Sequence, residues 1–175
     1  LIVVNGAYGH RIAKICDYIA RRYTVLETPE DTPPDVGAIS RTLADDPDIS
    51  HVVVIHCETT SGILNPVEDI AAAVAAENRR LLIDAMSAFG AIPLNLTRIT
   101  CDAVAASSNK CFEGVPGMGF VLCRKASLEE TKGNAHSLSL DLFDQWQAME
   151  ANGQWRFTPP THVVFAFEAA WKAHA

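Results

Sequence analysis

The run His51-Val52-Val53-Val54-Ile55-His56 constrains this chain more than any other stretch. Its apolar residues are continuous, so a strand here has no face to offer water and must be covered on both sides, as the strands of parallel sheets are. Further apolar runs of strand length recur at Leu1-Ile2-Val3-Val4, Tyr23 to Leu26, Leu81-Leu82-Ile83, Ala103 to Ala106 and Phe120-Val121-Leu122-Cys123. Between several of them the period changes to that of a helix. Tyr8, Ile12, Ile15, Cys16 and Ile19 form one stripe after Asn5-Gly6, and Val36, Ile39 and Leu43 form another after the break at Asp31-Thr32-Pro33-Pro34. Pro66 opens a third helix, where a missing N–H costs nothing, with Val67, Ile70, Ala71 and Val74 inward. Strand and helix in alternation predict an α/β fold. Its form is three-layered, a mostly parallel sheet with helices on both faces and right-handed crossovers.

In such sheets ligands gather outside the carboxyl ends of the strands. Three of those ends carry polar chemistry here: Cys57-Glu58-Thr59-Thr60-Ser61-Gly62, Asp84, and Ser107-Ser108-Asn109-Lys110. If the strands are neighbours, hydroxyls, a carboxylate and a lysine meet in one cleft. Each residue also has a plainer reading. The hydroxyls of Thr59, Thr60 and Ser61 can bond their own turn, Asp84 can cap a short helix, and Lys110 can be a solvated loop lysine.

A net charge of −7 disfavours nucleic acid and anionic membrane surfaces as partners. No apolar run approaches the roughly 18 residues that cross a bilayer. The cysteines, Cys16, Cys57, Cys101, Cys111 and Cys123, are odd in number and widely spaced, which suits free thiols in a reducing, cytoplasmic setting. No metal is expected, because His51 and His56 fall on opposite faces of a strand and no ligand-pair spacing occurs. A serine hydrolase and a nucleotide P-loop are equally unsupported, lacking Gly-x-Ser-x-Gly and Gly-Lys-Ser/Thr. With its 175 residues the chain makes one domain, opening at Leu1 inside a strand-like run and closing at Ala175 inside an apparent helix. The expectation is a piece of a longer polypeptide.

A carboxylate at one strand end and a lysine at a nearby one form the pair that a pyridoxal phosphate enzyme needs. The lysine holds the cofactor, and the acid keeps the pyridine nitrogen protonated so that the ring can accept electrons. The stretch from Asp84 to Lys110 leaves room for one intervening strand. The glycine-rich loop Gly114-Val115-Pro116-Gly117-Met118-Gly119 follows directly, where the backbone can turn tightly and approach a ligand.

At these residues the chain resembles the class V, fold-type I, pyridoxal phosphate-dependent aminotransferases. The resemblance rests on Leu82-Ile83-Asp84-Ala85-Met86-Ser87, Ser107-Ser108-Asn109-Lys110-Cys111 and Gly114-Val115-Pro116-Gly117. Narrower likeness comes from His56 to Gly62, Ser139 to Trp146, Trp155 to His162, and Asn5 to Arg11. Those stretches resemble the branch that moves the amino group of 2-aminoethylphosphonate to pyruvate, giving phosphonoacetaldehyde and L-alanine.

The resemblance implies a role for each matching residue. Lys110 would hold the cofactor and shuttle the proton, and Asp84 would pair with the pyridinium nitrogen. Met86 would pack on a ring face, Thr59 would bond at or near the ring hydroxyl, and Asn109 would lie near the phosphate. Thr158 would reach the phosphate of the other subunit's cofactor in a homodimer. Residues 1–175 would then be a partial large, cofactor-binding domain. The family's phosphate-gripping loop and ring-stacking aromatic would precede it, and a small domain with the substrate's arginine would follow. Two alternatives stay open: another class V aminotransferase, of the alanine/serine–glyoxylate or pyruvate type, and a non-catalytic doubly wound binding domain. Cysteine desulfurases resemble a pattern with histidine before the lysine, where this chain has Asn109.

Overall fold

A computed structural model describes residues 1–174. Its main sheet joins β1 (Ile2–Val4), β2 (Val25–Glu27), β3 (His51–Ile55), β6 (Arg80–Asp84), β7 (Ala103–Ser107) and β8 (Gly119–Cys123). The order across the sheet is β2-β1-β3-β6-β7-β8, every pair being parallel except the antiparallel β7 and β8. A small hairpin, β4 (Cys57–Glu58) with β5 (Ile63–Leu64), interrupts the chain after β3. The helices are α1 (Ala7–Tyr18), α2 (Val36–Asp45), α3 (Val67–Ala76), α4 (Lys125–Glu129), α5 (Leu142–Asn152) and α6 (Thr161–His174). The fold is the mostly parallel α/β sheet that the alternating pattern predicts.

Side chains alternate along a strand, so the sheet has two unequal faces. Leu1, Val3, Val52, Val54, Leu81, Ile83 and Val104 pack against Ile39 and Leu43 of α2 and Val67, Ile70, Ala71 and Val74 of α3. Each fully buried side chain of this size contributes about 1.5–3 kcal/mol relative to exposure. That face is the main core. On the opposite face Ile2 and Val4 form a smaller cluster with Ala13, Ile12 and Cys16 of α1. Farther along that face Leu82, Asp84, Ala103, Ala105 and Ser107 are half-buried while their neighbours Leu81, Ile83, Val104 and Ala106 are fully buried. The sheet therefore leaves an open, half-buried strip over β6 and β7, on which Asp84 and Ser107 are the polar residues.

Helix α1 corrects the stripe read from the sequence. Its buried residues are Gly9 and Ala13, and Ile15 is 50% exposed. The cause is the short strand beneath it, which covers a narrow band of the helix. At the other end of the chain, α6 packs over the loop after Lys110. Phe167 and Trp171 meet Phe112 with ring centroids 5.2 and 5.8 Å apart, and Val163 touches Gly117. No helix among the described residues is long and apolar enough to cross a membrane.

Candidate active site

Strands β3, β6 and β7 are neighbours in one register, so the three polar strand ends do meet. Ile55 lies opposite Asp84, and Asp84 opposite Ala105. Beyond the paired residues the His56 N–H still donates to the Asp84 carbonyl at 2.7 Å, and the Ala85 N–H to the Ala105 carbonyl at 2.9 Å. Asp84 is thus flanked by the start of the 57–64 hairpin on one side and by Ala106-Ser107 on the other.

One Asp84 oxygen, Oδ1, accepts the Met86 N–H at 2.9 Å. This is the local turn that the plainer reading of the sequence anticipates, although turns rather than a helix follow it. No cation lies within ion-pair distance of the carboxylate among the described residues. Burial pushes its pKa above the ordinary value of 3.8. The Met86 N–H opposes that shift, the Glu58 charge adds to it, and Arg11 counters it. A half-buried carboxylate left in this state is matched by a ligand that brings a proton on nitrogen.

Lys110 stands exposed just past β7, with Asn109 exposed beside it. The loop carrying them is clamped from below by the fully buried Ser108. Its hydroxyl donates to the Val115 carbonyl at 2.8 Å and sits 3.2 Å from that of Met118, and its own carbonyl accepts the Gly114 N–H at 2.9 Å. Gly114 is required by space: a Cβ there would lie 2.6 Å from the Ser108 carbonyl oxygen. Because that neighbour is backbone in a buried turn, Gly114→Ala should cost about 1–3 kcal/mol of stability. The same change should weaken retention of any ligand held by Lys110. Thermal unfolding and ligand titration of the variant check this, and an unshifted midpoint would contradict it.

Hydrogen bonds link the three loops. The Ser87 hydroxyl donates to the Cys57 carbonyl at 2.6 Å, and the Cys111 thiol donates to the Ser87 carbonyl at 3.2 Å. Met86 sits between Asp84 and that link. Thr59 is exposed in the four-residue turn joining β4 to β5. Thr158 is placed elsewhere, exposed on the segment between α5 and α6. Arg156 pins that segment through its ion pair with Asp144 at 3.4 Å and a bond to the Leu138 carbonyl at 3.0 Å.

The sequence reading places Glu58 and Ser107 in polar strand ends and Ser87 in a motif, but gives none of the three a role of its own. Ser107 shares the open strip with Asp84, and its hydroxyl is buried without a partner among the described residues. A buried unpaired hydroxyl beside an exposed lysine fits a site built to receive acceptor oxygens. The only available signal was its place in the hydroxyl pair before Lys110. No group of three or more potential metal ligands occurs among the described residues. Two surface hollows of about 280 and 210 Å³ run along Phe89 to Leu94 and around His56 and Asn65; neither is lined by Asp84 or Lys110.

The fold is that of an aminotransferase-type α/β domain. The chain superposes on the pyridoxamine–pyruvate aminotransferase of Mesorhizobium loti with a TM-score of 0.85 at 27% identity, covering 98% of this chain and 45% of that one. Residues 10–174 match the family "Aminotransferase class-V", and the chain belongs to that family. It is 58% identical to 2-aminoethylphosphonate–pyruvate transaminase 1 of Paraburkholderia xenovorans strain LB400, over 95% of this chain and 43% of the relative. It is 54% identical to the 2-aminoethylphosphonate–pyruvate transaminase of Pseudomonas fluorescens strain Pf-5, over 100% of this chain and 47% of the relative. The chain thus spans less than half the length of these curated relatives.

Proposed function

We propose that this chain is the cofactor-binding part of a cytoplasmic, pyridoxal 5'-phosphate-dependent transaminase that moves the amino group of 2-aminoethylphosphonate to pyruvate, yielding phosphonoacetaldehyde and L-alanine in phosphonate breakdown. The observation that carries this reading is the shared strip of β6 and β7. Among the described residues it carries a half-buried carboxylate with no ion-pair partner and a buried hydroxyl with no hydrogen-bond partner, three residues before an exposed lysine. Those groups fit the cofactor's ring nitrogen and its acceptor oxygens. The choice of amino donor and ketoacid is supported by the names of the relatives. Their partial coverage by this chain supports a large-domain portion, with phosphate-loop and small-domain elements supplied by further sequence.

When bound, the cofactor supplies an electron sink for the carbon that bears the substrate amine. Lys110 would hold it through the side-chain nitrogen and move the proton at that carbon. Asp84 would pair with the ring nitrogen and balance its charge. Met86 would pack on a ring face, the Thr59 hydroxyl would bond at or near the ring hydroxyl, and Asn109 would lie near the phosphate. A coupled assay tests the reading: the full-length enzyme should consume pyruvate with 2-aminoethylphosphonate, and not transfer from alanine or serine to glyoxylate at comparable kcat/KM. Preference for the glyoxylate pair would overturn the substrate assignment.

Thr158 belongs to the same reading through a homodimer. Trp155 and Phe157 are 43% and 49% exposed on its segment, and aromatics of this kind are favoured at interfaces. In a two-fold dimer Thr158 of one subunit would reach the other subunit's cofactor phosphate. Mixing an inactive Lys110→Ala subunit with an inactive, bulky Thr158→Trp subunit should then restore activity at one of the two sites. Absence of recovery despite demonstrated subunit exchange would confine Thr158 to its own chain.

A further inference from the structure

Glu58 is the most unusual charge in this molecule. It is 0% exposed, yet no cation pairs with it among the described residues. Its carboxylate accepts the Tyr8 N–H at 3.2 Å through both oxygens and the Gly9 N–H at 3.3 Å. The Thr60 hydroxyl lies 3.4 Å from Oε1 and itself accepts the Ala7 N–H at 3.4 Å. These are the first N–H groups of α1, the groups a helix leaves without intrahelical partners. Gly6, at the N-cap, has no side chain to serve them. It also has no room for one, since a Cβ would lie 2.2 Å from Glu58 Cγ and 2.5 Å from Cδ. A carboxylate from a distant hairpin therefore takes the capping position that a local serine or aspartate ordinarily fills.

The consequence falls on the active site. Glu58 is the last residue of β4, immediately before Thr59, and α1 carries Tyr8 and Arg11, whose guanidinium stands 4.5 Å over the Tyr8 ring. Locking the hairpin to the first turn of α1 fixes Thr59 and Arg11 relative to each other, on the side of the sheet that holds Asp84. We propose that Glu58 is a positioning residue for the transamination site, holding the Thr59 hairpin and the start of α1 as one unit around Asp84, with Gly6 as its obligatory partner. This rests on the functional reading above, in which Thr59 and Asp84 serve the cofactor. The Glu58 charge further opposes ionisation of Asp84 while Arg11 favours it, so the two stand close enough for a displaced unit to be felt there.

The test is a double-mutant cycle in the full-length holoenzyme, read by pyridoxal phosphate affinity, by the absorbance band of the bound cofactor, and by kcat and KM separately. Glu58→Ala should weaken cofactor affinity by about tenfold to a hundredfold, the range of losing buried charge-assisted bonds. Glu58→Gln keeps one oxygen for the Tyr8 and Gly9 N–H groups and an amide for Thr60, so it should stay within about threefold of the parent. Gly6→Ala should lose as much as Glu58→Ala, and the double variant no more than either, because each change breaks the same contact. Should Glu58→Ala not fold, Gly6→Ala set against Glu58→Gln carries the comparison. Additive losses, or variants whose thermal midpoint falls while affinity, absorbance and kinetic constants stay unchanged, would reduce Glu58 to a helix cap and overturn the proposal. A parent that takes up no pyridoxal phosphate would overturn the reading of the site itself, an outcome distinct from a parent that binds it as well as Glu58→Ala does.

Discussion

Lys110→Ala is expected to lower the kcat of the full-length holoenzyme by about 10⁴-fold or more, because in the proposed function one amine would both hold the cofactor and carry the proton. The fold should barely notice. Lys110 is exposed beyond the end of β7, and surface substitutions of this kind usually change stability by less than about 0.5 kcal/mol. The variant should still take up pyridoxal phosphate without a covalent link. Kinetics and thermal unfolding measured side by side separate the two effects. Near-normal turnover would return Lys110 to the status of a solvated loop residue.

Asp84→Asn carries the second large effect, a fall in kcat of about 10²–10³-fold, the scale of losing one preorganised electrostatic contact. The stability response has the opposite sense from that of a lost cap. Burial raises the Asp84 pKa, so the folded, cofactor-free protein holds this proton more tightly than the unfolded chain does. Stability therefore falls as pH rises through the raised pKa, and the penalty persists at neutral pH. Asparagine removes the charge and still offers an oxygen to the Met86 N–H. The cofactor-free variant should thus melt at or above the parent's temperature at neutral pH. The gap should close as pH drops toward the ordinary carboxyl value. A variant that melts well below the parent and turns over normally would mark Asp84 as a structural residue.

The sheet was legible because its signal is redundant. Apolar runs such as Val52-Val53-Val54-Ile55 leave few choices of partner, and the strand ends then follow from topology. That is why the sequence alone places Asp84 and Lys110 at neighbouring mouths of the sheet. The 57–64 hairpin was not legible, since strands of two residues carry no period. Glu58 lay hidden for a related reason: a glutamate among threonines reads as surface, and its burial depends on N–H donors some fifty residues earlier in the chain. Helix α5 was also passed over, its apolar residues reading only as part of a motif. Ile15 erred in the other direction. The helical period shows which residues share a stripe and says nothing of how wide a surface lies beneath it. Ser107 was legible only as a member of a polar strand end; that its hydroxyl is enclosed without a partner among the described residues comes from the structure.

The central claim is that the open strip beside β6 and β7 holds pyridoxal phosphate on Lys110. Borohydride reduction of the full-length holoenzyme followed by peptide mapping tests it most directly. The expected product is a pyridoxyl group on the peptide containing Asn109-Lys110-Cys111. A label on Lys14, Lys125, Lys132 or Lys172, or none on any lysine of this chain, would contradict it.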